Sequence, residues 1–150
     1  MTQEDKELLF KDLCARMPYG VKCAIFDKEL GFGGIPGFEG KYPFVIDGIT
    51  QEGDDIDVWV ERGNFSLETV KPYLFPLSRL NSLTDEQKKT LKVLCDWNDE
   101  EADAQSILVL YQKHFVMKSD VIDWLHKNHF DYRGLIEMGL ALDATDKNIY

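Results

Sequence analysis

At 150 residues, 44% of them hydrophobic and 12% aromatic, the chain has the size and composition of one globular domain, able to bury about two thirds of its unfolded surface. Its 17 Lys and Arg against 27 Asp and Glu leave a formal charge of −10, which disfavours direct DNA or RNA binding, because affinity for a phosphate backbone comes from basic groups that release counterions. The acid-bearing start MTQEDKELLF does not read as a secretory leader, and no apolar run approaches the ~18 residues of a membrane span, so the expected setting is the cytoplasm, with no membrane partner.

Thr2 followed by Asp5 has the capping-box pattern, and Leu9, Phe10, Leu13 and Met17 recur at helical spacing before Pro18 and Gly20, which predicts a helix over 3–17. Val21, Cys23 and Ile25 alternate as in a strand. LGFGGIPGFEGKYP (30–43), with five glycines and two prolines, reads as a loop. FVIDGIT (44–50) and IDVWVER (56–62) flank the turn signal QEGDD and predict a hairpin that buries Ile56, Val58 and Val60 and turns Asp57, Trp59 and Glu61 outward.

SLETVKPYLFPLSRL (66–80) carries Pro72 and Pro76, which argue against a helix and a central strand alike and predict an extended connector over the sheet. Beyond it the period turns helical. Thr84 and Gln87 form a second capping box before Leu91, Leu94 and Cys95, and Ile107, Leu110, Tyr111 and Phe115 define a helix over 100–115. Ser119 is placed to cap a helix holding Val121, Ile122 and Leu125, and Asp131 one holding Leu135, Ile136 and Leu140. The expected fold is α+β: an N-terminal helix, a small antiparallel sheet and a C-terminal helical region, with a strand-rich part (1–80) and a helical part (81–150) packed together as one domain.

The motifs of known chemistry are incomplete. Ile35 and Tyr42 stand where a phosphate-binding loop ending at Gly40-Lys41 needs glycine and serine or threonine, and Pro36 occupies the third glycine of a dinucleotide fingerprint. No cofactor is therefore implied. His126 and His129 share a face if helical, with Asp123 one turn back, but the HExxH pattern is absent and no metal is expected. His129 reads instead as a cationic group at a helix end. Five acids from Asp47 to Asp57 lack calcium-loop spacing and read as solvated hairpin charges. Cys14, Cys23 and Cys95, without CxxC spacing, read as reduced core thiols.

KPYLFPLSRL (71–80) with the nearby TDEQ, together with DWLHKNHFDYRGLIEMGLALDA (123–144), resembles a group of small uncharacterised proteins of gut Bacteroidales and their phages or mobile elements. The resemblance implies an intracellular accessory protein and carries over no catalytic residue.

With every catalytic template incomplete, the leading reading is a non-enzymatic protein-binding or adaptor domain whose candidate contacts are Phe32, Phe38, Trp59, Tyr73, Phe75, His126 and His129. Its acidic balance favours a basic protein partner. The alternative is a small hydrolase or other enzyme with a site between the His126-His129-Asp131 region and the Gly-rich loop 30–43.

Overall fold

Helix α1 (Gln3–Arg16) starts at the expected capping box, in which Thr2 Oγ1 accepts from Asp5 N at 3.1 Å and the Asp5 carboxylate accepts from Thr2 N at 2.9 Å. The computed structural model describes residues 1–27, 31–32, 43–61, 63–97, 102–114 and 116–150. Leu9 and Leu13 project from α1 onto one face of a sheet that contains β1 (Lys22–Asp27), β3 (Phe44–Glu52), β4 (Asp55–Val60), β5 (Gly63–Ser66) and β6 (Val70–Pro76). Hydrogen-bonded neighbours run β5-β4-β3-β1-β6, β6 also pairs with β7 (Phe130–Asp131) and β8 (Leu142–Asp143), and β2 (Gly31–Phe32) pairs with β1. Part of the segment expected to be loop is thus strand, while residues 33–42, Phe38 among them, lie outside the described residues.

The α+β class holds, and the hairpin follows the predicted alternation, with Ile56, Val58 and Val60 buried and Trp59 outward. The sheet is larger than expected and mixed, because β7 (Phe130–Asp131) and β8 return from the far end of the chain and pair with β6 in parallel.

Segment 70–76 is the clearest departure from expectation. It is an interior strand, antiparallel to β1 and parallel to β7 on one flank and parallel to β8 on the other, rather than a connector over the sheet. Two features make Pro72 tolerable there. Tyr73 O and Phe75 N bond toward the β1 and β7 flank, through Tyr150 Oη and His129 O, while Leu74 O accepts from Ala144 N on the other. Alternation then puts the Pro72 nitrogen on the Leu74 flank, where β8 pairs only from Tyr73 onward, so its missing N–H interrupts no ladder. Pro76 ends the strand at a 3-10 turn (Leu77–Ser82).

Helices α2 (Asp85–Leu94), α3 (Ala104–His114) and α4 (Ser119–Lys127) build a second hydrophobic cluster around Leu91, Ile107, Leu108, Tyr111 and Leu125. Thr84 and Gln87 cap α2 reciprocally, as expected. In α3 the buried row contains Leu108, and Leu110, assigned to that row from the sequence, is 40% exposed. Ser119 is the first residue of α4, not its cap, and Lys118 precedes it without a side-chain cap bond. Strand β6 serves both clusters, Leu74 in the one beneath α1 and Phe75 against the helical one. Cys23 and Cys95 are core thiols; Cys14, on the outer side of α1, is exposed.

No helix forms over 131–142. The Asp131 carboxylate does cap, accepting from Leu135 N at 2.9 Å and Ile136 N at 2.8 Å, but the segment closes after one turn. Gly139, at φ +72°, takes the left-handed conformation that turns the backbone back, and Leu140 N donates to Leu135 O at 2.8 Å. Leu135 and Leu140 are buried in the cluster beneath α1 all the same. Asp131→Ala is expected to destabilise the protein by about 2 kcal/mol, the upper end of the capping range, because the carboxylate is itself buried. Urea melts of variant and parent measure this directly, and equal midpoints would show that the turn stands without its cap.

Candidate functional site

Asp12 and Arg16 stand one turn apart on α1, and both side chains are fully buried. Arg16 Nε donates to Asp12 Oδ2 at 2.6 Å, and its Nη2 to Asp12 Oδ1 at 3.2 Å and to Phe130 O at 2.8 Å. Around this pair close His126 from α4 and Tyr132 and Arg133 from the segment after β7. His126 Nε2 lies 3.1 Å from Tyr132 Oη and 3.9 Å from Asp12 Oδ1, while Arg133 Nε reaches Tyr132 Oη at 2.9 Å and Asp12 Oδ1 at 3.3 Å. Burial, helped by the Arg16 charge, pushes the His126 pKa below its ordinary value, and burial raises that of Tyr132. The neutral imidazole can then accept the Tyr132 hydroxyl proton at Nε2. His126 is thus an interior residue, 3% exposed, and not a surface contact.

His129 takes a different path. At φ +58° it leaves the end of α4 in the left-handed region, and its ring stacks on Tyr150 at 3.8 Å between centroids and 10° between planes. Burial, with Arg16 and Lys22 nearby, lowers its pKa to about 4, so the cationic helix-end role expected of it does not hold at neutral pH. The Tyr150 hydroxyl accepts from Lys22 N at 3.0 Å and donates to Tyr73 O at 2.9 Å, standing where the next rung between β1 and β6 would be after Cys23 and Pro72. Phe75 packs against the same ring at 5.8 Å, and the Arg79 guanidinium sits 4.9 Å above Phe75. A cleft of about 370 Å³ opens here, lined by Phe75, Arg79, Gln87, Lys127, His129 and Tyr150 with four neighbours.

On the opposite end of the sheet Trp59 lies 44% exposed. It faces Gly48 on β3 and Asn64 on β5, and its Nε1 donates to Thr50 Oγ1 at 3.1 Å, which fixes the indole on the sheet. The same surface carries Asp47, Glu52, Asp55 and Asp57, and none of β3, β4 and β5 contains a Lys, Arg or His. Lys6, near the hairpin tip, is paired with Glu68 at 2.6 Å.

Of the residues singled out from the sequence, Phe75 and His129 therefore meet in one cleft, Trp59 stands alone on the sheet face, and His126 turns inward. Tyr73 lies partly buried on β6, and Phe32 enters the short strand β2. His126, His129 and Asp131 do not converge: each has its own partners, Tyr132, Tyr150 and two backbone amides. Burial raises all three thiol pKa values, that of Cys23 to about 12 and that of Cys95 to about 11, so none is poised as a thiolate. Among the described residues no group of three or more His, Cys, Asp or Glu is placed to hold a metal, and no helix is long and apolar enough to cross a membrane. Sequence reasoning missed Asp12, Arg16 and Tyr150. The i,i+4 spacing of the first two was visible, but an Asp–Arg pair on an amphipathic helix normally faces water. The chain matches no family model, no curated protein and no solved structure.

Proposed function

We propose that the chain is a non-catalytic protein-binding module that takes a Lys- or Arg-rich segment of a partner on the outer face of β3, β4 and β5. The observation that carries this reading is Trp59: a large aromatic, exposed, held by Thr50 and set among carboxylates with no basic residue on the three strands. An indole face attracts a cationic side chain by about 0.5–1 kcal/mol at an exposed site. The flanking acids add attraction and speed encounter. A side chain already ordered by a hydrogen bond loses little entropy on contact. The acidic composition supports the same class of partner.

Calorimetric titration with an acetylated hexapeptide of alternating Arg and Lys tests the reading. Trp59→Ala leaves the charge unchanged, so binding that is only a response to net charge survives it. The expected result is binding that weakens with salt and falls about tenfold in Trp59→Ala, with stability nearly unchanged because the ring is exposed. Equal affinity of variant and parent rejects the Trp59 face as the site.

A further inference from the structure

The cleft between the end of α4 and the 3-10 turn after β6 is chemically unlike the rest of this acidic protein. None of the ten described residues that line it is Asp or Glu, although acids outnumber bases by 27 to 17 in the chain. Two cations, Arg79 and Lys127, line it, and neither has a carboxylate partner among the described residues. Asp146 lines a separate hollow of about 280 Å³ that shares Phe75, Arg79 and Tyr150 with the cleft. The polar amides are committed elsewhere: Gln87 Nε2 donates to Asn128 Oδ1, and Asn128 gives both its N–H and its side-chain amide to Trp124 O. Those last two bonds also satisfy a carbonyl at the negative end of α4, which would otherwise oppose an anion.

The walls are aromatic. Phe75 lies tilted between Phe130 at 6.2 Å and Tyr150 at 5.8 Å, and the Arg79 guanidinium, whose N–H fork suits a two-point contact with a carboxylate, is held over the Phe75 ring. His129, backing the cleft behind Tyr150, is 7% exposed, and its Nδ1 has no hydrogen-bond partner among the described residues. From a lining without acids among the described residues, two cations without a carboxylate partner among them and the aromatic walls, we infer that this cleft is a binding site for a small aromatic carboxylate, its ring against Phe75 and Tyr150 and its carboxylate toward Arg79 and Lys127. The site is independent of the Trp59 face and opposite to it in charge preference.

N-acetylphenylalanine is the probe, with its uncharged primary amide and inorganic phosphate as the two comparisons, each followed by amide chemical shifts in the ¹⁵N-labelled protein. The expected result is a saturable shift at Lys127 to Phe130 and Tyr150, with a Kd on the order of 1 mM for a ligand of this size. The amide and phosphate should bind about tenfold more weakly, and Arg79→Gln/Lys127→Gln should weaken the acid by a similar factor while leaving the spectrum folded. Acid and amide binding alike, phosphate binding as tightly as the acid, or undiminished binding in the double variant would each overturn the assignment. Absence of a saturable shift would do so as well.

Discussion

Asp12→Ala is expected to lower the unfolding free energy by about 3 to 5 kcal/mol, the cost of leaving one member of a buried ion pair without its partner. Arg16 is fully buried and donates two bonds to this carboxylate, so its charge would remain in the interior with Phe130 O as its one remaining hydrogen-bond acceptor among the described residues. Arg133 would lose its contact with Asp12 at the same time. The loss should be specific to breaking the pair. Asp12→Leu/Arg16→Met, which removes both charges at similar volume, should recover most of it, since apolar replacements of buried pairs are often neutral or stabilising. Chemical denaturation of parent, single and double variants makes the comparison. An Asp12→Ala protein within about 1 kcal/mol of the parent would mean that water reaches Arg16 in solution.

The second large effect is a loss of stability in mild acid. His129 has a folded pKa of about 4 against an ordinary value of 6.5, so the unfolded chain takes up the proton first as pH falls. The stability that comes from keeping this ring neutral is complete above about pH 6.5, declines below it, and is gone once the pH has passed through about 4. Its size is on the order of 3 kcal/mol at most, from 1.36 kcal/mol per pKa unit. His126, also lowered by burial, acts with the same sign. Carboxylates held below their usual range, Asp5 and Asp103, lose their contributions in the same direction at lower pH, so the parent's profile alone does not isolate the histidine. His129→Phe keeps a ring against Tyr150 and removes the titrating group. Urea melts between pH 7 and 4 should show a shallower decline for the variant, and parallel curves would reject a buried neutral His129.

How far the sequence carries to the structure depended on the range of the contact that decides each element. The hairpin was legible because two-residue alternation within β4 alone sorts Val58 inward and Trp59 outward, and the capping boxes of α1 and α2 were legible because their partners lie three residues apart. Strand β6 was not. Its two prolines forbid a central strand in general, and whether they do so here turns on which flank is left unpaired, a matter settled by β1, β7 and β8 from opposite ends of the chain. The turn at 134–139 kept the apolar spacing of a helix, because Leu135 and Leu140 must reach the same core, while the left-handed Gly134 and Gly139 broke the backbone. The site residues divide the same way. Trp59 announced itself by facing outward, whereas the interior place of His126 depends on α1, more than 100 residues earlier, and the cleft on a tyrosine with no local pattern around it.

That tyrosine ties together segments that lie far apart in the sequence. The hydroxyl rung joins Lys22 to a residue 128 positions away and Tyr73 to one 77 away, and Arg16 reaches across 114 positions to Phe130. Closing contacts of such separation costs loop-closure entropy that the elements formed in between reduce, so these bonds are favoured once the intervening strands and helices are in place. Until Tyr150 is in place, the β1–β6 seam holds its pairings from Cys23 to Ile25 and lacks the hydroxyl rung that extends them to Lys22 and Tyr73.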